Sequence, residues 1–214
     1  VVDREDELGV LGANINQMAE KLQILLREQE LDNQGAKVLA EITMRIRKTL
    51  KLEDIYNSAT KELRQALKTD RVVIYSLDPQ TWEGMIVGES VAVGFPKMMG
   101  VQIHDPCFRD RHAETYKDGR VRAISNIYEE LSLSNQSCYI KMLEKFAVKG
   151  SLIAPIINEE QLLGLLITHQ CAHPRVWQQQ EIDLFKQLAI QVSYALEQAR
   201  LLEEIEQARA VAEK

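Results

Sequence analysis

No stretch of the 214 residues approaches the roughly 18–20 uninterrupted apolar positions that a membrane-crossing helix requires. Glycine and proline are scarce, at 10 and 5, which excludes collagen-like and low-complexity chains. The 3 cysteines lie far apart with no Cys-x-x-Cys pair, so neither a disulfide framework nor a thiolate zinc site is expected. Their odd number fits a reducing compartment. Positive charge is in the minority: 26 Lys and Arg stand against 32 Asp and Glu, for a net charge of −6. That balance supplies no attraction toward nucleic acid or an anionic membrane surface. No basic segment leads into an apolar core near the N-terminus, so no secretory leader is expected. The dinucleotide glycine motif, the phosphate-binding loop, HExxH and the nucleophile elbow are all missing. The 4 histidines do not stand at metal-binding spacings. What is present is hydrophobic content of 45%, enough to bury a sizeable core. The length allows one domain with helical extensions.

Leu8, Leu11, Ile15, Met18, Leu22 and Leu25 recur at alternating spacings of three and four, an a/d seam between charged and polar residues. Such a seam predicts either a partner helix or an amphipathic helix lying on its own domain. It fails from Gln29, and Gly35 is read as a break or hinge. A second helix is expected to present Val38, Leu39, Ile42, Ile46 and Leu50 on one face, and a third to run from Leu52 to Leu67. The period then changes. Arg71 to Leu77 is a β-branched strand, and Gly84 to Val93 forms a hairpin with it. Residues 94–137 read as irregular, a length that points to a binding site. Cys138 to Phe146 has helical spacing, and Ser151–Ile157 and Leu162–His169 form an antiparallel hairpin. A long helix runs from Gln178 to the end, too long to be covered by a domain of this size. The expected class is α+β: an antiparallel sheet with helices on one face, set between helices that pair in a parallel homodimer.

Two side chains in this frame can do chemistry. Cys107, beside Pro106 and followed by Arg109 and Arg111, has neighbours that lower a thiol pKa. Cys138 opens a short helix, where free backbone N–H groups favour a thiolate. Each has an inert, half-buried alternative, because free cysteine is among the most buried residue types. Cys171 reads as packing. His169 closes an apolar strand and is, taken alone, a satisfied core histidine. His104, His112 and His173 read as exposed.

Several segments together resemble the GAF domain of a cyanobacteriochrome, a phytochrome-related photoreceptor with a linear tetrapyrrole. They are Asp70-Arg-Val-Val-Ile-Tyr75, Trp82-Glu-Gly, Gly88-Glu-Ser-Val-Ala, Gly94-Phe-Pro, Asp105-Pro-Cys-Phe, Gly119-Arg-Val, Val148-Lys-Gly-Ser-Leu-Ile-Ala-Pro-Ile, Leu163-Gly-Leu-Leu and His169-Gln-Cys-Ala-His-Pro-Arg-Val-Trp177. Asp105-Pro-Cys-Phe108 resembles the motif of the Asp-Xaa-Cys-Phe subgroup. Residues before Gly35, with Asp6-Glu-Leu-Gly9, resemble the second helix of a HAMP linker. The arrangement is similar to a methyl-accepting phototaxis receptor of cyanobacteria, with a histidine-kinase output as second choice. The implied division is 1–34 HAMP helix and linker, 35–200 GAF domain and 201–214 signalling helix.

The resemblance implies a role for each matching residue. Cys138 corresponds to the cysteine that anchors the bilin by a thioether. Cys107 corresponds to the cysteine that adds reversibly to the bridge between rings B and C, interrupts conjugation and shifts absorption to the blue. The bilin is expected to be phycocyanobilin, phycoviolobilin or both, and light turns its D ring. Asp105 corresponds to the acceptor of the pyrrole N–H groups, Arg120 to the clamp on a propionate, and His169 to the histidine near the D ring. Tyr116, Trp82 and Phe108 complete the pocket. Tyr139 stands where the family usually has histidine; it can stack and donate but cannot become a cation near neutral pH, so the pigment's pKa should differ. Glu130 to Ser137 is also longer than the family pattern. The implied protein is a sensor and not a turnover enzyme. It would lie on the cytoplasmic side of a full-length protein anchored in the plasma membrane, with no direct membrane contact from this segment, and be covalently joined to its output domain. The rivals are a GAF module for a non-bilin ligand, a redox sensor using Cys107 and Cys138, and a dimerisation scaffold.

Overall fold

The computed structural model describes residues 7–49, 51–78, 83–103, 116, 118–132, 137–159 and 161–212. The chain divides into two compact units, Val1–Val38 and Leu39–Lys214. Helix α1 (Glu7–Ile46) runs unbroken through Gly35, contrary to the expected break. An interior glycine costs a helix only about 1 kcal/mol, which the residues on either side of Gly35 outweigh. In the N-terminal unit Leu11, Ile15, Met18, Leu22 and Leu25 are exposed.

The second unit is built on a sheet. Helix α2 (Leu52–Leu67) buries Ile55, Ala59, Leu63 and Leu67, a stripe at helical spacing. Glu53 and Asp54 in its first turn complement the helix dipole. Its end is closed by Lys68 at φ 52°, with Thr69 N–H donating to the Arg64 carbonyl and Lys68 N–H to the Gln65 carbonyl. Strands β1 (Arg71–Leu77), β2 (Gly84–Val91), β3 (Gln102–Ile103), β4 (Arg122–Ile124), β5 (Gly150–Asn158) and β6 (Gln161–Gln170) form one sheet among the described residues. The order is β3-β2-β1-β6-β5-β4, with every pairing antiparallel. Helices α3 (Ile127–Ser132) and α4 (Ser137–Lys145) lie between β4 and β5, and α5 (Gln179–Ala212) follows β6.

The 94–137 region is therefore not irregular throughout, because it contains β3, β4 and α3. Strands of two and three residues are too short to show a period of their own and owe their form to the sheet edge they join.

The sheet has two dissimilar faces. Val72, Ile74, Leu152, Ala154, Leu166 and Thr168 are all buried on the face covered by α2 and α5, whose Phe185, Leu188, Ala189 and Val192 are buried there. Burial on α5 ends at Ala199, and every described residue from Arg200 to Val211 is exposed. Gly88 fixes how closely α2 approaches. A Cβ placed on it would stand 2.9 Å from the Tyr56 Cβ. Gly88→Val should therefore cost about 1–3 kcal/mol in urea unfolding. A loss of only a few tenths would mean that α2 can retreat freely.

Candidate functional site

The opposite face is covered by the connections between strands. Val73, Tyr75, Ile86, Met98, Tyr116 and Ile153 are among the buried residues of a single cluster there, with Phe146 packed against it. Strand register sets a polar row across this apolar face. Arg71 pairs with His169, and His169 pairs with Ser151 on its other side. Cross-strand partners share a face, so the three side chains stand side by side. All are buried, with residue exposures of 0%, 2% and 0%.

Arg71 meets groups from distant parts of the chain, although its buried Nε makes an ion pair without a hydrogen bond. Its Nη1 donates to the Phe146 carbonyl at 3.1 Å and lies 3.4 Å from His169 Nδ1. Its Nη2 donates to the Pro96 carbonyl. Its Nε lies 3.3 Å from a carboxylate oxygen of Glu89, itself buried. Glu89 in turn accepts from the Met98 and Met99 N–H groups at 2.8 and 2.9 Å. A buried cation is thus paired and hydrogen-bonded, as its desolvation demands. Burial, and secondarily the Arg71 cation, push the His169 pKa down to about 3. The ring is therefore neutral near pH 7. Ser151 Oγ, beside it, is buried without a hydrogen-bond partner.

The other expected site residues are distributed as follows. Tyr116 is buried in the apolar cluster. Burial raises its pKa, against the charge and hydrogen bond of Arg122 and the charge of Arg120. Arg120 is exposed, just before β4. Tyr139 is partly buried against a second cluster, made by Ile124, Ile127, Leu131, Leu143 and Val148. Cys138 is the second residue of α4. Its side chain lies outside the described residues, as do Trp82, Asp105, Cys107 and Phe108 entirely. Cys171 is buried, and burial, opposed by the Arg71 charge and aided less by Asp70, lifts its pKa to about 11. It is an inert packing thiol at neutral pH. Among the described residues no group of His, Cys, Asp or Glu is placed to hold a metal ion. None of their helices is long and apolar enough to cross a membrane.

Sequence patterns did not point to Arg71, Glu89 or Ser151. A charged residue opening a strand reads as a solvent-facing boundary. Only the three-dimensional meeting of Pro96, Phe146 and Glu89 around Arg71 buries it. A cavity of about 220 Å³, lined by Ala154, Pro155, Lys186 and Ala189 among others, has no member of the polar row among its described lining residues.

The family model for the GAF domain matches residues 51–196. The chain belongs to the GAF family. This GAF domain is similar to the PixJ GAF domain of Thermosynechococcus elongatus in its blue-light absorbing form. The two share 36% identity with a TM-score of 0.67, covering 73% of this chain and 90% of that one. It is also similar to the phycoerythrobilin-bound GAF domain of a cyanobacterial phytochrome, at 29% identity and a TM-score of 0.68 over 79% and 97% of the two chains. Among curated relatives, a Synechocystis protein named for methyl-accepting chemotaxis is 44% identical over 194 residues, which is 88% of this chain. The chain spans about a fifth of that relative's length, 19%.

Proposed function

We propose that this GAF domain is a photoreceptor module holding a linear tetrapyrrole through a thioether at Cys138. When bound, such a pigment supplies a conjugated system whose colour and D-ring orientation respond to light. The reading rests on the polar row of the second sheet face. A buried hydroxyl without a partner costs about 1–3 kcal/mol. Ser151 carries that cost beside a neutral, buried histidine, on a face otherwise built from apolar side chains. A guest that is largely apolar but edged with polar atoms suits this combination. Similarity to the PixJ and phycoerythrobilin-bound domains supports the same class of guest.

The chain's residues then take separate tasks. Cys138, in the first turn of α4, is the anchoring thiol, favoured as thiolate by unsatisfied N–H groups. Cys107 is the switching thiol, whose addition and release toggle a blue-absorbing and a longer-wavelength state, as in the Asp-Xaa-Cys-Phe subgroup. Asp105 accepts from pyrrole N–H groups, Arg120 pairs with a propionate, and His169 lies by ring D. Tyr139, Tyr116, Trp82 and Phe108 form walls. The pigment is phycocyanobilin or phycoviolobilin.

Residues 1–34 act as the end of a HAMP helix and linker, 35–200 as the sensor and 201–214 as the signalling helix. The exposed seam of Leu11, Ile15, Met18, Leu22 and Leu25 is covered by the same helix of a second copy. The full-length protein is a plasma-membrane phototaxis receptor with its sensor in the cytoplasm and a methyl-accepting or, as second choice, histidine-kinase output. The module senses and does not turn over a substrate.

Co-expression with bilin-synthesis enzymes tests this. The purified chain should fluoresce with zinc on a denaturing gel and show a light-minus-dark absorption difference. A colourless product overturns the proposal, and pigment-free disulfide formation between Cys107 and Cys138 under mild oxidant would support the redox rival. Cys107→Ala should keep the pigment and lose the blue-shifted state. Survival of that state would remove Cys107 from the switching role.

A further inference from the structure

We infer that Arg71 is a positioning residue that sets the tautomer of His169 and so makes its Nε2–H the donor to a carbonyl or carboxylate oxygen of the guest. The identity of the acceptor rests on the bilin reading, whereas the tautomer does not.

A guanidinium carries five N–H donors, accepts nothing and does not deprotonate in a protein. The ring nitrogen facing it is therefore the one without a proton. Nδ1 stands 3.4 Å from Arg71 Nη1. The ring is neutral, since burial and the adjacent cation both oppose a second proton. Its single proton is consequently on Nε2. The neighbours of Arg71 make this assignment firm. Glu89, the Pro96 carbonyl and the Phe146 carbonyl engage the other guanidinium nitrogens or share Nη1, so the fork cannot swing away from the histidine. Glu89 is itself fixed by two backbone N–H groups. A lysine at position 71 would present one flexible ammonium in place of a planar fork and could not hold all these partners at once. His169 and Ser151, whose buried hydroxyl is orphaned, are partners in the sheet register.

Long-range nitrogen–proton NMR on the whole chain, labelled at histidine and free of pigment, reads the tautomer directly. His169→Gln assigns the resonances by their loss. The expected spectrum has an unprotonated Nδ1 and a protonated Nε2, with this tautomer favoured by about tenfold or more, a ratio equivalent to about 1.4 kcal/mol. An Nδ1–H ring or an imidazolium at pH 7 in the unaltered protein overturns the inference without recourse to any variant. Arg71→Lys should lower the ratio and populate both tautomers, whereas Glu89→Gln, which keeps the guanidinium, should preserve it. With pigment loaded, Arg71→Lys should broaden or split the dark-state absorption band at unchanged zinc fluorescence. A mixed tautomer with an unaltered band overturns the donor role. A correct tautomer in a chain that never takes up pigment overturns the bilin reading and leaves the part played by Arg71 in setting the ring proton standing.

Discussion

Replacement of Cys138 by alanine will abolish covalent pigment. The chain has 3 thiols, and only a nucleophile placed to form the anchoring bond will hold a bilin through denaturation. Cys171 cannot substitute. It is buried, and its pKa near 11 keeps the thiolate fraction at neutral pH to about one part in ten thousand. Cys138 occupies the second position of α4, where helix geometry leaves backbone N–H groups without intrahelical acceptors and so lowers the cost of a negative sulfur. The measurement is zinc fluorescence on a denaturing gel, normalised to protein stain. Cys138→Ala and Cys138→Ser should both lose the band, and Cys171→Ala should retain it. Persistence of the band in Cys138→Ala would reassign the anchor, and Cys107 would be the remaining choice. The alanine change is small and lies near a helix end, so circular dichroism should show the fold intact while the pigment is gone.

Acidification will erode stability from about pH 6.5 downward, through His169. The ring binds its proton only near pH 3 in the native protein, against 6.5 for a histidine in an open chain. At pH 7 it is neutral in the native state and mostly neutral in the unfolded one, so it adds little to the pH dependence. Below 6.5 the unfolded chain gains a proton that the native state refuses, so the unfolded state is favoured by up to about 1.4 kcal/mol for each unit until the native group also titrates. Between pH 7 and pH 5 this amounts to about 2 kcal/mol. Urea unfolding at the two pH values measures it. His169→Gln should remove most of that loss, although it will lower stability at pH 7 by disturbing the Arg71 network. An equal pH-dependent loss in the glutamine variant would place the titrating group elsewhere.

The ease of reading the sequence varied with how local the determining interactions are. Helix α2 and strand β1 announce themselves through their own side-chain periods and occupy Leu52–Leu67 and Arg71–Leu77 as expected. The β5–β6 hairpin was equally legible, because two apolar runs flank a short polar connection. Strands β3 and β4 were not legible, since their few residues are extended only because a neighbouring strand pairs with them. Gly35 was misleading for the converse reason: a residue that weakens a helix does not end one when both flanks are helical. His169 closes an apolar strand, which by itself reads as a core histidine, and was singled out only by the family resemblance. Its partner Arg71 was passed over, because the carbonyls of Pro96 and Phe146 that bury it come from elsewhere in the chain.

Helix α5 is embedded along its first half and exposed beyond Ala199. A rod clamped in this way is a lever. From Ala199 to Ala212 it extends about 20 Å at 1.5 Å per residue. A tilt of about 3° at the clamp, smaller than the ordinary scatter of helix packing angles, carries the tip by about 1 Å. Small adjustments of the sheet that seats Phe185 and Val192 are thereby enlarged along the exposed stretch of the helix.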